Sequence, residues 1–358
     1  MTTAPWVLAG LPALSIAAVA GAQPEGGYWR GVHLMISSSD DVAAMTRLIE
    51  GHLAPMGVNA LVLEMDYSYQ FESHPELNTS GLSKSDARTI SAACRDNGIR
   101  LIPLMNCLGH QSWKADTGAL LQAYPEFEEP PEIPITDPNF YCQSWCPQHP
   151  DVNQIAFDLM DELLDAFEAD AFHIGMDEVF VLASDNCPRC KGEDPAKLFA
   201  RAVNDYHKHL VGERGVEMLM WGDRFLDAEE TGYGVWEAAG NGTAPSIDMV
   251  PTDIIMCDWH YEVLDRYPSL KLFQEKGFRV WPGPWRNVEA ANRLIAASKD
   301  GATEMMLGVL STGWSSGGGG KSLLRALEGD IEPDEAKKLE SAVGHAEVLK
   351  VSMDAFAE

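Results

Sequence analysis

The sequence predicts an α/β fold, a single (β/α)8 barrel of the TIM type with long loops after strands three and five. Three observations lead there. Eight apolar, strand-like runs alternate with amphipathic helical patterns. No Gly-rich phosphate-binding turn follows any of these runs, which disfavours a dinucleotide-binding open sheet. A chain of 358 residues also suits one barrel with extended loops.

In chain order, strands are predicted at 31–37, 60–66, 100–106, 171–177, 217–223, 253–259, 279–285 and 305–313. Each is a short apolar run; in 171–177 (AFHIGMD) Phe172, Ile174 and Met176 recur at period two. Helical patterns fall at 41–56, 84–96, 152–167, 195–214, 264–276 and 288–299, with a last one at 334–357. Several end in an expected stop: Asn97-Gly98, Gly215 and Gly277 lie just past the last apolar turn. The fifth unit lacks a helical pattern. Residues 224–252 read as a long loop containing Gly232, Gly234, Gly240 and Gly242, and the acidic, Pro-rich 126–138 forms another after strand three. With no repeat and no linker, 28–358 is expected to be one barrel domain with its C-terminal helix, preceded by an apolar arm or signal-like segment at 1–27.

That segment, WVLAGLPALSIAAVAGAQ, has signal-peptide length and an Ala-Gly-Ala before Gln23. Against it, MTTAP carries no Lys or Arg and Pro12 interrupts the run. Export, to the periplasm or outside the cell, is preferred to a packed N-terminal arm. The segment is too short and broken to span a membrane.

Hydrophobic and charged contents of 46% and 22% are ordinary for a globular protein, whereas a net charge of −28 is not. An acidic surface repels nucleic acid and anionic membrane, so neither is expected as a partner; a neutral or cationic small molecule fits. The seven cysteines leave at least one outside any disulfide set. Cys94, Cys107 and Cys257 fall in apolar patterns and read as buried thiols. Cys142-x3-Cys146 and Cys187-x2-Cys190 lie in loops and fit a structural zinc site, two disulfides or neither.

In a barrel the C-terminal strand ends line the site. Strand two ends in Glu64 and Asp66, and strand three runs through Asn106 to Gly109-His110. Strand four ends in Asp177-Glu178, five in Trp221 and Asp223, six in Asp258-Trp259-His260-Tyr261, seven in Trp281 and Trp285, and eight in Trp314. Aromatic faces stack on the C–H face of a sugar ring, while carboxylates bond its hydroxyls or protonate its glycosidic oxygen, so the set reads as a carbohydrate pocket with acid catalysis. Each residue alone has a plainer explanation in packing or capping; the constellation carries the inference. Neighbours on a strand point to opposite faces, so Asp177 and Glu178 cannot flank one scissile bond unless the strand bends. They suit a proton donor beside an acid that orients a nucleophile on the substrate, such as a 2-acetamido group.

His173-Ile174-Gly175-Met176-Asp177-Glu178 resembles the H-x-G-G-D-E motif of the family 20 glycoside hydrolases, the β-N-acetylhexosaminidases, and most closely their hexosaminidase D-like branch. The similarity runs in order through WRGVHL, NALVLEMDYSYQFESHPEL, IRLIPLMNCLGH, CPQHP, FHIGMDEVF, CPRC and WGDRF. It implies a (β/α)8 barrel, no cofactor, and removal of terminal β-linked N-acetylhexosamine with retention, through an oxazolinium made by the substrate's acetamide. It further implies Glu178 as general acid/base, Asp177 on the acetamido nitrogen, His110 bonded to the acid with Asp66 or Glu64 orienting it, and Tyr261 on the acetamide oxygen. Trp221, Trp285 and Trp314 would wall the pocket, with Trp259 a further sugar contact and Trp281 a weaker candidate.

Three departures matter. Met176 replaces the second Gly, a modest change if it points into the barrel. Ser37, Ser38 and Ser39 stand where members carry an Arg that grips distal sugar hydroxyls, and Ser316 stands where many have an acid. The grip on O3 and O4 would pass to His33, Asp66 or Asp223. The D-like branch implies N-acetylgalactosamine in preference to N-acetylglucosamine. Competing readings are a non-catalytic glycan-binding barrel and a metal-dependent hydrolase using His110, His173, Asp177 and Asp223.

Overall fold

The computed structural model describes residues 27–77, 80–314, 319–332, 335 and 337–357; the apolar arm at 1–26 and Ser316 lie outside them. Eight parallel strands form the predicted barrel: β1 (Trp29–Met35), β2 (Ala60–Glu64), β3 (Arg100–Cys107), β4 (Ala171–Gly175), β5 (Glu217–Trp221), β6 (Ile255–Trp259), β7 (Arg279–Gly283) and β8 (Gly308–Ser311). Seven neighbouring pairs are hydrogen-bonded, from β8–β1 to β6–β7, with a register shift in β3–β4 between Leu104 and Cys107. The remaining seam, β7–β8, is closed by the Val280–Met306 bridge and hydrogen bonds from Val280 N to Met305 O (2.8 Å) and Leu307 N to Val280 O (2.9 Å).

Helices α1 (Val42–Leu48), α2 (Lys84–Asp96), α3 (Val152–Phe167), α4 (Pro195–His207), α5 (Pro268–Glu275), α6 (Val288–Asp300), α7 (Gly320–Glu328) and α8 (Glu340–Ala355) surround it. Their starts are chemically marked. Ser83 and Asp86 form a reciprocal capping box on α2, Asn287 caps α6, and Asp194 with Pro195 opens α4. Proline also explains why α5 begins at Pro268 and not at 264, since it favours the first helical position. Among the described residues α7 is an addition to the expected pattern, and α8 begins later than 334. Loop 224–252 holds only short helical turns, as expected of a unit without its own helix.

Every residue of β2, β4, β5 and β6 is buried, as strands covered on both faces must be. Their alternation fills two cores. Outward residues such as Leu61, Leu63, Phe172 and Ile174 pack under the helices, and inward residues such as Trp29, Val62, Leu104, Trp221 and Trp281 fill the barrel. Met176 belongs to the outer core with Phe172 and Ile174, not to the barrel interior. Trp281 is likewise displaced from its expected role. It packs edge-on against Trp29 at 5.1 Å and donates to the Trp29 carbonyl (3.3 Å), so it plugs the lower barrel beneath Gly31 and lines no mouth.

A Cβ on Gly31 would lie 2.0 Å from the Trp281 ring. Gly31→Ala is therefore expected to lose about 1–3 kcal/mol of stability by overpacking, read as a lower denaturation midpoint with unchanged slope.

Candidate active site

Strand β4 ends at Gly175, two residues earlier than expected, because the chain turns left-handed: φ is +65° at Gly175, +73° at Met176 and +49° at Glu178. The first of these needs glycine, since a Cβ there would lie 2.1 Å from Asn106 Oδ1. This bend removes the obstacle that a straight strand would impose. The Asp177 and Glu178 carboxylates converge on one imidazole nitrogen, His110 Nε2, at 3.2 Å and 3.4 Å.

His110 sits on the loop after β3 at φ +53°. Beneath it, the buried Gln111 donates to the carbonyls of Asn106 (3.1 Å) and Gly109 (2.8 Å). Burial opposes charge on His110, but the carboxylates of Asp177 and Glu178 outweigh it and hold the imidazole well above its ordinary value. The imidazole Nε2 thus faces both acids.

A second cation supports the pair from below. Asp223, buried at the end of β5, accepts the Glu178 backbone N–H (3.0 Å) and the Arg224 Nε (2.6 Å) on the same oxygen. Arg224 is fully buried, lies 5.0 Å from the Phe180 ring, and donates through Nη2 to the carbonyls of Val235, Trp236 and Ala238. The long loop after β5 is thereby drawn over the end of β4. Burial pushes the Asp223 carboxyl up against the pull of Arg224.

On the opposite wall, Glu64 accepts from His33 (2.8 Å) and Asn106 Nδ2 (3.2 Å), so its partner is His33 and not His110. Asp66 accepts the Asn106 N–H (2.9 Å); burial and the Glu64 charge push its carboxyl up, and the nearby His110 charge opposes them. His33 lies between Trp221 (5.5 Å) and Trp314 (4.6 Å). Trp221 is fully buried as the floor, Trp259 stacks on Tyr261 at 4.9 Å, and Trp285 meets Tyr261 edge-on at 5.3 Å. The Tyr261 hydroxyl accepts from Trp314 Nε1 and from Thr312 (3.3 Å), and burial pushes this phenol up. His173 turns inward against Trp221, and its Nδ1 accepts the Gly175 N–H (3.0 Å), leaving it outside the acid pair.

Several residues escaped sequence reading. Arg224 adjoins Asp223 in sequence, which was the available signal, whereas Asn106 was placed at the mouth but given no role. Tyr141, Phe180, Trp113 and Trp236 come from three loops and pack edge-on at 5.0–5.7 Å around Tyr141, whose hydroxyl faces Glu178. Trp113 and Trp236 are 59% and 51% exposed, and a groove of about 540 Å³ opens beside Tyr141, Phe180 and Trp236. Nothing local in the sequence foretells that gathering.

The glycosyl hydrolase family 20 catalytic domain matches residues 60–317. The chain belongs to glycosyl hydrolase family 20. Similar proteins include a β-hexosaminidase of Emericella nidulans, 23% identical over 292 residues, covering 69% of this chain and 42% of the relative. A β-hexosaminidase of Akkermansia muciniphila is 30% identical over 112 residues, covering 30% of this chain and 22% of the relative. The family 20 chain thus spans under half the length of these curated relatives. The fold resembles the Flavobacterium johnsoniae chitobiase (TM-score 0.64, 18% identity, 93% of this chain and 52% of that one) and Dispersin B (TM-score 0.54, 15% identity, 92% and 98%). Among the described residues no helix is long and apolar enough to cross a membrane.

Two outcomes follow for this family 20 site. Arg224→Met leaves Asp223 buried without its cation and is expected to cost about 3–5 kcal/mol, measured by urea unfolding. The second concerns His260, which lies between Glu237 (2.7 Å) and Asp258 (3.2 Å) and also bonds Ser269. Burial opposes its charge, but the two carboxylates raise it to about 9. A raised histidine lends stability that is whole below its ordinary value near 6.5 and is lost as pH climbs through about 9. The Tm gap between wild type and His260→Gln should therefore narrow over that interval.

Proposed function

We propose that this chain is a retaining exo-glycosidase that removes terminal β-linked N-acetylhexosamine by substrate-assisted catalysis. The observation that carries the reading is the convergence of Asp177 and Glu178 on His110 Nε2, at 3.2 Å and 3.4 Å, under a wall of Trp259, Trp285 and Trp314. An ordinary double displacement needs two carboxyls about 5–5.5 Å apart on opposite sides of the anomeric carbon. Two acids turned toward one imidazole suit a division of labour instead.

Glu178 gives its proton to the glycosidic oxygen as the C1–O bond breaks. Asp177 accepts the acetamido N–H, which raises electron density on the acetamide oxygen as it attacks C1. Tyr261 donates to that oxygen and fixes its approach. The resulting oxazolinium is opened by water, which yields its proton to the Glu178 carboxylate, so the enzyme returns to its starting state with configuration retained. His110, whose Nε2 faces both acids, holds them in place. Asp223 and Arg224 act as positioning residues through the Glu178 amide.

The ring's distal hydroxyls would meet His33 and Asp66, the polar groups left once the expected arginine is missing. The likeness to the hexosaminidase D-like branch favours N-acetylgalactosamine over N-acetylglucosamine. Because Glu178 protonates the leaving group, the aromatic cluster facing it, with Trp113 and Trp236 exposed, lies on the leaving-group side and fits a further sugar.

Glu178→Gln is expected to lower kcat on a nitrophenyl β-N-acetylhexosaminide by roughly 10²–10⁴-fold, while a thiazoline mimic of the oxazoline inhibits the wild type. Equal cleavage of glycosides lacking the 2-acetamido group would refute participation by the substrate. Undiminished glycan affinity without any turnover in the wild type would favour a binding barrel. A metal ion bound at His110, Asp177 and Asp223 and required for turnover would favour a metal-dependent hydrolase.

A further inference from the structure

Away from the carboxylate pair, four buried side chains meet from two loops: Glu129 and Cys146 from the loop after β3, and Cys187 and Cys190 from the loop after β4. Their ligand atoms all lie within 4.8 Å of one another. Cys146 Sγ is 3.4 Å from Cys190 Sγ and 3.6 Å from Cys187 Sγ. A disulfide needs about 2.05 Å, whereas thiolates on a tetrahedral zinc, at about 2.3 Å each, stand a little under 4 Å apart. Cys142, the remaining loop cysteine, stands apart with its Sγ directed at the Glu178 carbonyl (3.7 Å), so the four loop cysteines are not two disulfide pairs.

Glu129 supplies the second observation. One of its oxygens accepts the Ser184 N–H at 2.9 Å. The other, Oε2, is buried with no hydrogen-bond partner, and Glu129 makes no ion pair among the described residues. A carboxylate in that position is costly unless a cation meets it. The backbone is also arranged for thiolates. The N–H of Gln148 faces the Cys146 sulfur, and those of Arg189 and Cys190 face the Cys187 sulfur. Pro147 and Pro188 follow those two cysteines and fix the turns that aim these donors.

We propose that Glu129, Cys146, Cys187 and Cys190 hold a structural zinc ion. Three thiolates and a carboxylate close a tetrahedron with no open position, the arrangement of a structural and not a catalytic metal. Cys187-x2-Cys190 is the chelating knuckle, and Cys146 and Glu129 come from the neighbouring loop. On loading, three thiols release their protons to solvent and the carboxylate enters as the anion, so Zn²⁺ leaves a centre of net charge −2. Its effect on the site is mechanical: it clamps the loop carrying His110 and Tyr141 to the loop that follows Glu178.

The test is metal content, which is read without turnover and so stands or falls separately from the hydrolase reading. The full chain is purified from zinc-replete culture without chelator and assayed by elemental analysis and intact mass. About one zinc per chain is expected, with a charge-transfer band from thiolate to metal when cobalt replaces zinc. Cys187→Ala/Cys190→Ala should lose the metal and Cys142→Ala should keep it. Stripping the wild type should lower Tm, with recovery on adding zinc. If the double variant does not fold, the wild-type stoichiometry and cobalt spectrum decide alone. A metal-free chain that takes up no zinc, or a mass two hydrogens lighter from a disulfide, would overturn the proposal.

Discussion

The arrangement at the barrel mouth depends on one buried interaction: Asp223 accepts the Glu178 amide and the Arg224 guanidinium on a single oxygen. The left-handed turn that brings two acids to one imidazole is strained at non-glycine residues, and its closing N–H must find a partner inside the protein. Asp223 is that partner, yet a lone buried carboxylate would be expensive. Arg224 neutralises it and turns its Nη2 to three carbonyls of the long loop. The bend in β4, the path of the loop after β5 and the site of Trp236 are consequently one structure.

Electrostatics repeat this logic at a larger scale. The chain carries a charge of −28, and acids crowd the strand ends. Each buried acid near the mouth is met by a specific partner, whether His33 for Glu64, His110 for Asp177, Arg224 for Asp223 or His260 for Asp258. Histidine serves three of these four, so imidazoles are the main partners of the mouth's acids.

Much of this was readable in advance where chemistry is local. The alternation of apolar runs marked eight strands, and α2 and α3 run over the residues predicted for them. Asp177 and Glu178 stood out because acids rarely end a core strand without cause. Legibility failed where geometry is long-range. Trp281 and Trp285 lie four residues apart and read alike, but the register of β7 sends Trp281 down onto Trp29 while Trp285 reaches the mouth. Met176 shares the outer core with Phe172 and Ile174, as their period-two spacing groups them; the pattern did not say which side of the sheet that row faces. Helix α7 begins at the last of four consecutive glycines and was lost in what looked like loop. The gathering of Tyr141, Phe180, Trp113 and Trp236 depends on three loop paths that no motif encodes.

Gly175 inverts the usual relation between chemistry and tolerance. Its neighbours Asp177 and Glu178 could be exchanged for their amides with little disturbance to the backbone, since amide and carboxylate are nearly the same shape. At Gly175, which offers no functional group, any Cβ meets Asn106, and Asn106 in turn holds Glu64 and, through it, His33. A substitution there strains the bend that aims both acids and, through Asn106, also reaches the far wall. The silent position between the two walls thus ties the proton donor and the distal grip to one backbone conformation.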